Sequence, residues 1–117
     1  MSIQLYGISN CSSVQKAKIW LNQNQYDFVF IDYKKQAPTS QLLERWLEQV
    51  PLDQLVNRQG TTWKQLSDDE KLQFEHSSQA IQMLIAKPTL LKRPTLVKNN
   101  QILVGFHATK YLSFLSP

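Results

Sequence analysis

The chain has 117 residues, of which 42% are hydrophobic, a net charge of +4 and a single cysteine. These values predict one globular domain with its own core, and they exclude a fibrous or disordered protein and any intramolecular disulfide. The lysines are scattered along the chain, so we expect no binding to nucleic acid. No apolar stretch is long enough to span a membrane and the N-terminus lacks the pattern of a signal peptide, so we expect a cytoplasmic protein that does not bind membranes. We also expect a monomer.

The segment over residues 3–17 predicts a β-strand, a glycine and the start of a helix. Ile3, Leu5 and the preceding Met1 fall on one side of a ribbon with a period of two, and Gly7 interrupts this alternation. Apolar residues then recur at helical spacing until about residues 22–24. Four of them are expected to face the core: Val14, Ala17, Trp20 and Leu21.

The only cysteine lies where this helix is predicted to start. Ser9 and Asn10 are residue types whose side chains accept backbone N–H groups at the first turn of a helix, and Cys11 follows them directly. Unpaired N–H groups and the helix dipole stabilise a thiolate at such a position and lower the thiol pKa from its usual value of about 8.5. Cys11 is therefore a candidate nucleophile, and the alternative is an inert small residue at a tight turn.

A short aromatic and β-branched run over residues 26–33 predicts the second strand, of a type common at the centre of a sheet. Strand, helix and strand within about thirty residues predict a βαβ unit. Its two strands should be parallel and its crossover right-handed.

The middle of the chain is predicted to be helical. Thr39 or Ser40 can cap the first helix of this block, which Pro51 ends. Ser67 begins a capping box, because a glutamate follows it three residues later. The other helical pieces are predicted within residues 52–60, from residue 61, and from residue 77 or 78 to residue 87.

Two short strands and a helix are predicted to complete the chain. The strands, at residues 95–98 and 102–104, are joined at Asn99–Asn100, a pair that tolerates left-handed backbone and suits a tight hairpin. A final helix over 107–115 is expected to turn four residues inward: Ala108, Tyr111, Leu112 and Leu115. The resulting α/β order, βαβ and then ββα, with a proline before the third strand, is that of a thioredoxin-like fold with a helical insertion between the two halves.

Four motifs in this order resemble the arsenate-reductase-like family of ArsC and Spx relatives. The resemblance covers nearly the whole chain and is strongest to the YffB-like branch. The motifs are Tyr6-Gly7-Ile8-x-Asn10-Cys11 with Lys16-Ala17, Asn57-Arg58-Gln59-Gly60-Thr61-Thr62-Trp63, Pro88-x-Leu90-Leu91-Lys92-Arg93-Pro94, and Val104-Gly105-Phe106.

The resemblance implies a single domain over residues 1–117, with a helical insertion at about residues 38–92. It also implies that Cys11 is the catalytic nucleophile, that the Arg93–Pro94 peptide bond is cis, and that the residues around the thiol that bind substrate or glutathione are Asn10, Arg58, Arg93 and Pro94.

The arginines at positions 58 and 93 suit the binding of an anionic substrate near the thiol. A guanidinium can hold a carboxylate or an oxyanion through two hydrogen bonds, and its charge lowers the pKa of a nearby thiol. The alternatives are a solvated loop residue for Arg58, a residue covering the sheet edge for Arg93, and an ordinary trans turn for Pro94.

Two departures from the family pattern limit which of the family's activities we expect. Val14 stands where disulfide oxidoreductases and redox-sensing Spx proteins have a second cysteine, so an oxidised Cys11 needs a thiol from elsewhere, with glutathione as the candidate. No arginine follows Arg93, whereas glutaredoxin-linked arsenate reductases carry a third arginine after the Gly-Phe segment. This absence counts against arsenate reduction.

We therefore expect a glutathione-dependent thiol reductase with a single cysteine nucleophile, glutathione as reducing co-substrate, and glutaredoxin or a protein disulfide as a further partner. The alternatives are an arsenate reductase that uses the same cysteine, and an Spx-like regulatory module that binds a protein such as RNA polymerase without catalysis. No metal is expected, because His76 and His107 have no cysteine or carboxylate at ligand spacing.

Overall fold

The structure, a computed structural model that describes residues 2–117, contains a mixed sheet in which four described strands take the order β2-β1-β3-β4. β1 pairs in parallel with β2 and antiparallel with β3, which pairs antiparallel with β4. The predicted α/β thioredoxin-like arrangement is confirmed. The strands are β1 at Ile3–Gly7, β2 at Val29–Asp32, β3 at Thr95–Lys98 and β4 at Gln101–Val104.

The helices follow the predicted order. Thr39 caps α2, since its Oγ1 accepts from the Leu42 amide at 3.2 Å, and Ser67 and Glu70 form the predicted capping box of α5. Within residues 2–117 no helix is long and apolar enough to cross a membrane. The helices are α1 at Ser12–Gln23, α2 at Ser40–Leu47, α3 at Leu52–Leu55, α4 at Thr61–Lys64, α5 at Asp68–Leu72, α6 at Ser77–Ala86 and α7 at Ala108–Leu115, with 3₁₀ turns at Gln73–Glu75 and Pro88–Leu90.

The backbone divides into two compact units. One contains the sheet, α1 and α7, and the other is the helical segment Ala37–Lys92. The interpretation of the chain as one domain with an insertion at about residues 38–92 stays a prediction.

The prediction of a central second strand is wrong. β2 is shorter than the aromatic run, lies at the edge of the described sheet beside β1, and leaves Val29 59% exposed. The central strands are β1 and β3, because the chain returns after α6 to the other side of β1. The pattern of apolar residues indicates which faces of a strand are buried, but it does not indicate the position of that strand in the sheet.

A hydrophobic core cluster joins β1, α1, β3 and α7. Ala17 and Leu21 of α1 are buried in it as predicted, and Trp20 packs against it. Met1, predicted on the same face as Ile3 and Leu5, lies outside the described residues. The buried members are Ile3, Leu5, Ala17, Leu21, Leu96, Tyr111 and Leu115.

Part of the prediction for α7 is wrong. Tyr111 and Leu115 are buried as expected, but Ala108 is exposed and Leu112 is 54% exposed. Phe114 packs against the core cluster instead. Tyr111 and Leu115 belong both to the predicted face of the helix, with Ala108 and Leu112, and to the neighbouring face, with Phe114. Packing against β1 and β3 buries the face that includes Phe114.

Gly7 lets α1 pack closely on the end of β1. A Cβ built at Gly7 would lie 2.6 Å from Cγ2 of Val14, a distance at which one of the two groups has to move. Val14 is itself fully buried, so it has little space into which to move. Glycine is therefore required here by space, since the backbone at this position is that of an ordinary strand.

We expect Gly7→Ala to lower the free energy of unfolding by about 1–3 kcal/mol, because the new methyl group overpacks the β1–α1 contact. Urea denaturation followed by circular dichroism measures this. Ser78→Ala is the control: Ser78 is exposed in α6, so the substitution changes no buried contact and its effect should stay within about 0.5 kcal/mol. Equal losses in the two variants would contradict the packing account.

Candidate functional site

The short loop after β1 brings Cys11 to the start of α1. Cys11 itself is the N-cap residue, with extended backbone angles (φ −102°, ψ 128°), and its carbonyl accepts from the Gln15 amide at 3.0 Å. The predicted capping residues, Ser9 and Asn10, lie before the cap and are exposed. The side-chain amide of Gln15 donates to the Ser9 carbonyl, which ties the loop to the first turn of the helix.

The half-buried thiol of Cys11 is surrounded by groups that favour its ionised form. Burial raises the pKa of the thiol, but the backbone amides of Val14 and Ser13 and the Arg93 side chain, through a hydrogen bond and its charge, together hold the pKa below its ordinary value. The helix start is therefore better suited to a thiolate than to a thiol.

Arg93 and Pro94 lie directly before β3. The Arg93–Pro94 peptide bond is cis, as the resemblance implies, and the carbonyl of Pro94 accepts from the Gly105 amide at 2.7 Å. Pro94 is buried and Arg93 is half-buried. The structure thus brings the Arg93 side chain and the Cys11 thiol together. Substrate binding by Arg93 and Pro94 stays a prediction.

Two buried hydroxyl groups behind Arg93 were not found by sequence reasoning. Tyr33 and Thr95 are 3% and 1% exposed, and their side chains face each other close to the Arg93 charge. Burial raises the pKa of Tyr33 well above its ordinary value, so the phenol stays protonated, while Thr95 and Arg93 act in the opposite direction. Sequence patterning gave no signal for this cluster, because both residues fall in or beside ordinary strand segments.

The structure places Arg58 in the helical unit. Its Nη2 lies 2.7 Å from Oδ1 of Asp53, and its guanidinium lies 4.6 Å from the ring centroid of Trp63. Arg58 also lines a pocket of about 650 Å³ together with Asn57, Gln59 and Lys92. Its expected position beside Cys11 stays a prediction, as does a binding role for the exposed Asn10.

The histidines occupy ordinary positions. His107 is exposed at the N-cap of α7, and His76 is exposed at the N-cap of α6. Among residues 2–117 no group of three His, Cys, Asp or Glu side chains is placed to hold a metal ion.

Comparison with solved structures supports the fold and the family. A protein described as YFFB is 32% identical, with a TM-score of 0.92, over 98% of this chain and 100% of that one. The solution structure of an arsenate reductase (ArsC) related protein from Brucella melitensis is 37% identical, with a TM-score of 0.76, over 100% of this chain and 97% of that one.

Comparison with protein sequences gives the same family. An uncharacterised protein of Haemophilus influenzae is 33% identical over 93% of this chain and 95% of its own length. The regulatory protein MgsR of Bacillus subtilis is 28% identical over 94% of this chain and 87% of its own length. The model of the ArsC family matches residues 6–114. The chain belongs to the ArsC family, within its YffB-like branch.

Proposed function

We propose that this protein is a glutathione-dependent thiol reductase that uses Cys11 as its single nucleophile. The observation that carries the proposal is the Cys11 thiol at the start of α1, with its pKa lowered by the amides of Val14 and Ser13 and by Arg93. A lowered pKa increases the fraction of thiolate, which is the nucleophile in disulfide exchange.

The proposed reaction reduces a mixed disulfide between a substrate thiol and glutathione. The Cys11 thiolate attacks the glutathione sulfur, the substrate sulfur leaves with the electron pair of the broken S–S bond and takes up a proton, and Cys11 becomes glutathionylated. The thiolate of a second glutathione then attacks the glutathione sulfur on Cys11 and restores the Cys11 thiolate. One mixed disulfide and one glutathione thus give one substrate thiol and one glutathione disulfide.

An external thiol is part of the proposal because the chain has one cysteine. Val14 occupies the position of a resolving cysteine, is fully buried, and supplies only its backbone amide to the thiolate. Glutathione is abundant in the reducing cytoplasm, where we place the reaction.

Arg93 and Arg58 would bind anionic groups of the substrates. Arg93 stabilises the thiolate between turnovers and can pair with a glutathione carboxylate when Cys11 is modified. We assign to Arg58 the binding of a second carboxylate. Arsenate is the less suitable substrate, since no arginine follows Arg93.

A second candidate function is a regulatory module that binds a protein partner without catalysis. The match to the regulatory protein MgsR over 94% of this chain favours it. In that case a bound partner would be retained equally by the unaltered protein and by Cys11→Ala, and no turnover would be seen.

Arg93→Gln should raise the Cys11 pKa, because the substitution removes both the hydrogen bond and the positive charge at the sulfur. The rate of alkylation by iodoacetamide as a function of pH reports the thiolate fraction directly, since no other cysteine competes. At neutral pH the variant should react several-fold more slowly. Arg45→Gln, at an exposed position in α2, should leave the pH profile unchanged. An unchanged profile in Arg93→Gln would contradict the assignment.

Cys11→Ser should reduce turnover of a glutathione mixed disulfide to the uncatalysed rate, because an alcohol cannot replace the thiolate in disulfide exchange. The assay couples formation of glutathione disulfide to glutathione reductase. Ser78→Ala, at an exposed site in α6, should remain fully active. Substantial activity in Cys11→Ser would end the proposal.

Arg58→Ala should raise the KM for glutathione or for the mixed disulfide without lowering the midpoint of urea denaturation appreciably. The ion pair that it removes is exposed (42% for Arg58 and 80% for Asp53), and such pairs contribute about 0–1 kcal/mol. Asp53→Ala is the matched control, because it breaks the same ion pair and leaves the guanidinium in place. Equal loss of activity in the two variants would show that the pair matters and not the guanidinium.

A further inference from the structure

A second pocket, lined by both polar and apolar side chains, lies at the end of β2, in the same unit as Cys11. Its volume is about 400 Å³, and its walls come from the loop after β1, from α1, from β2 and from the turn that follows β2. The side chains that carry its chemistry are Ser9, Lys18, Asp32, Lys35 and Gln36, over an apolar wall of Phe30 and Ile31.

Lys18 is held in place at this pocket. It is half-buried, and its Nζ lies 3.7 Å from the centroid of the Phe30 ring. Attraction between an ammonium group and the face of an aromatic ring restrains the side chain. The cation therefore loses less conformational entropy when it binds an anion than a freely rotating lysine does.

Hydrogen bonds of a tight turn hold the opposite wall. Oδ1 of Asp32 accepts from the Lys34 amide at 2.9 Å, and the carbonyl of Asp32 accepts from the amides of Lys35 at 3.0 Å and Gln36 at 2.9 Å. The turn brings Lys35 and Gln36, both of which are exposed, to the wall of the pocket. With two lysines and one carboxylate in its lining, the pocket has a formal charge of about +1.

The pocket is within reach of Cys11. Ser9, in its wall, precedes Cys11 by two residues, and two consecutive Cα–Cα steps span at most about 7.6 Å. In glutathione, eight bonds separate the sulfur from the α-carboxylate carbon of the γ-glutamyl end, a reach of roughly 9 Å when extended. Glutathione whose sulfur is at Cys11 can therefore place the carboxylate of this end in the pocket.

We propose that this pocket binds the carboxylate of one end of glutathione, with Lys18 and Lys35 pairing with the carboxylate and Gln36 bonding to the adjoining peptide group. The charge is complementary, because glutathione has two carboxylates and one ammonium group and a net charge of about −1 at neutral pH. This inference rests on the proposed function and adds a binding site for its co-substrate. The pocket lining shares no residue with Arg58, Arg93, Asn10 or Pro94.

The test uses S-methylglutathione, which has the charges of glutathione but no free thiol. Its binding to the full chain is measured by NMR titration, with isothermal calorimetry as a second method. Lys18→Gln and Lys35→Gln should each weaken binding by roughly five- to tenfold, and the double variant should weaken it further, because each removes one charge-assisted contact. Lys16→Gln and Lys34→Gln are the matched controls: both lysines are exposed, neighbour the tested positions in sequence and lie outside the pocket lining.

Absence of S-methylglutathione binding, or equal weakening by the control substitutions, would overturn the inference. Measuring turnover as well as binding shows whether the pocket assignment or the proposed reductase activity has failed. An unaltered KM for glutathione in an active double variant would reject the pocket and leave the reductase intact. Lysine-dependent binding to a protein without turnover would support the pocket and reject the reductase.

Discussion

The close approach of α1 to the end of β1 is the constraint on which the site depends. Val14 is fully buried and packs where a side chain on residue 7 would otherwise lie, so the helix can start close to the end of the strand, after the loop over residues 8–11. This start puts Cys11 at the N-cap, with the amides of Ser13 and Val14 next to its sulfur. Val14 thus has two separate roles, since its side chain sets the packing and its backbone amide stabilises the thiolate.

The charge at Cys11 is balanced by groups from two distant parts of the sequence. The helix start supplies amides from the first turn of α1, and the segment just before β3 supplies the Arg93 guanidinium. Burial of the thiol opposes ionisation, and these groups together exceed it. Behind Arg93 lies the neutral, buried pair of Tyr33 and Thr95. The pocket at the end of β2 would add positive charge beside the loop that carries Ser9, which suits an anionic thiol as co-substrate.

Local features of the structure could be predicted from the sequence, whereas features set by tertiary packing could not. The capping box at Ser67, the Thr39 cap and the Asn99–Asn100 hairpin, with φ angles of 52° and 64°, each depend on a few neighbouring residues. The edge position of β2 depends on the path of the chain between residues 36 and 95, which periodicity does not report. The Cys11–Arg93 contact was reached through family resemblance, and the Tyr33–Thr95 cluster was missed because buried hydroxyl pairs have no sequence pattern.

The most direct test of the account is the intact mass of the protein during turnover. After rapid mixing with a glutathione mixed disulfide and acid quenching, we predict one glutathionyl group per chain, located on Cys11, formed as fast as the steady-state turnover and discharged by added glutathione. An adduct that forms more slowly than turnover, that resists glutathione or that is absent while turnover proceeds would contradict the claim that Cys11 carries the reaction.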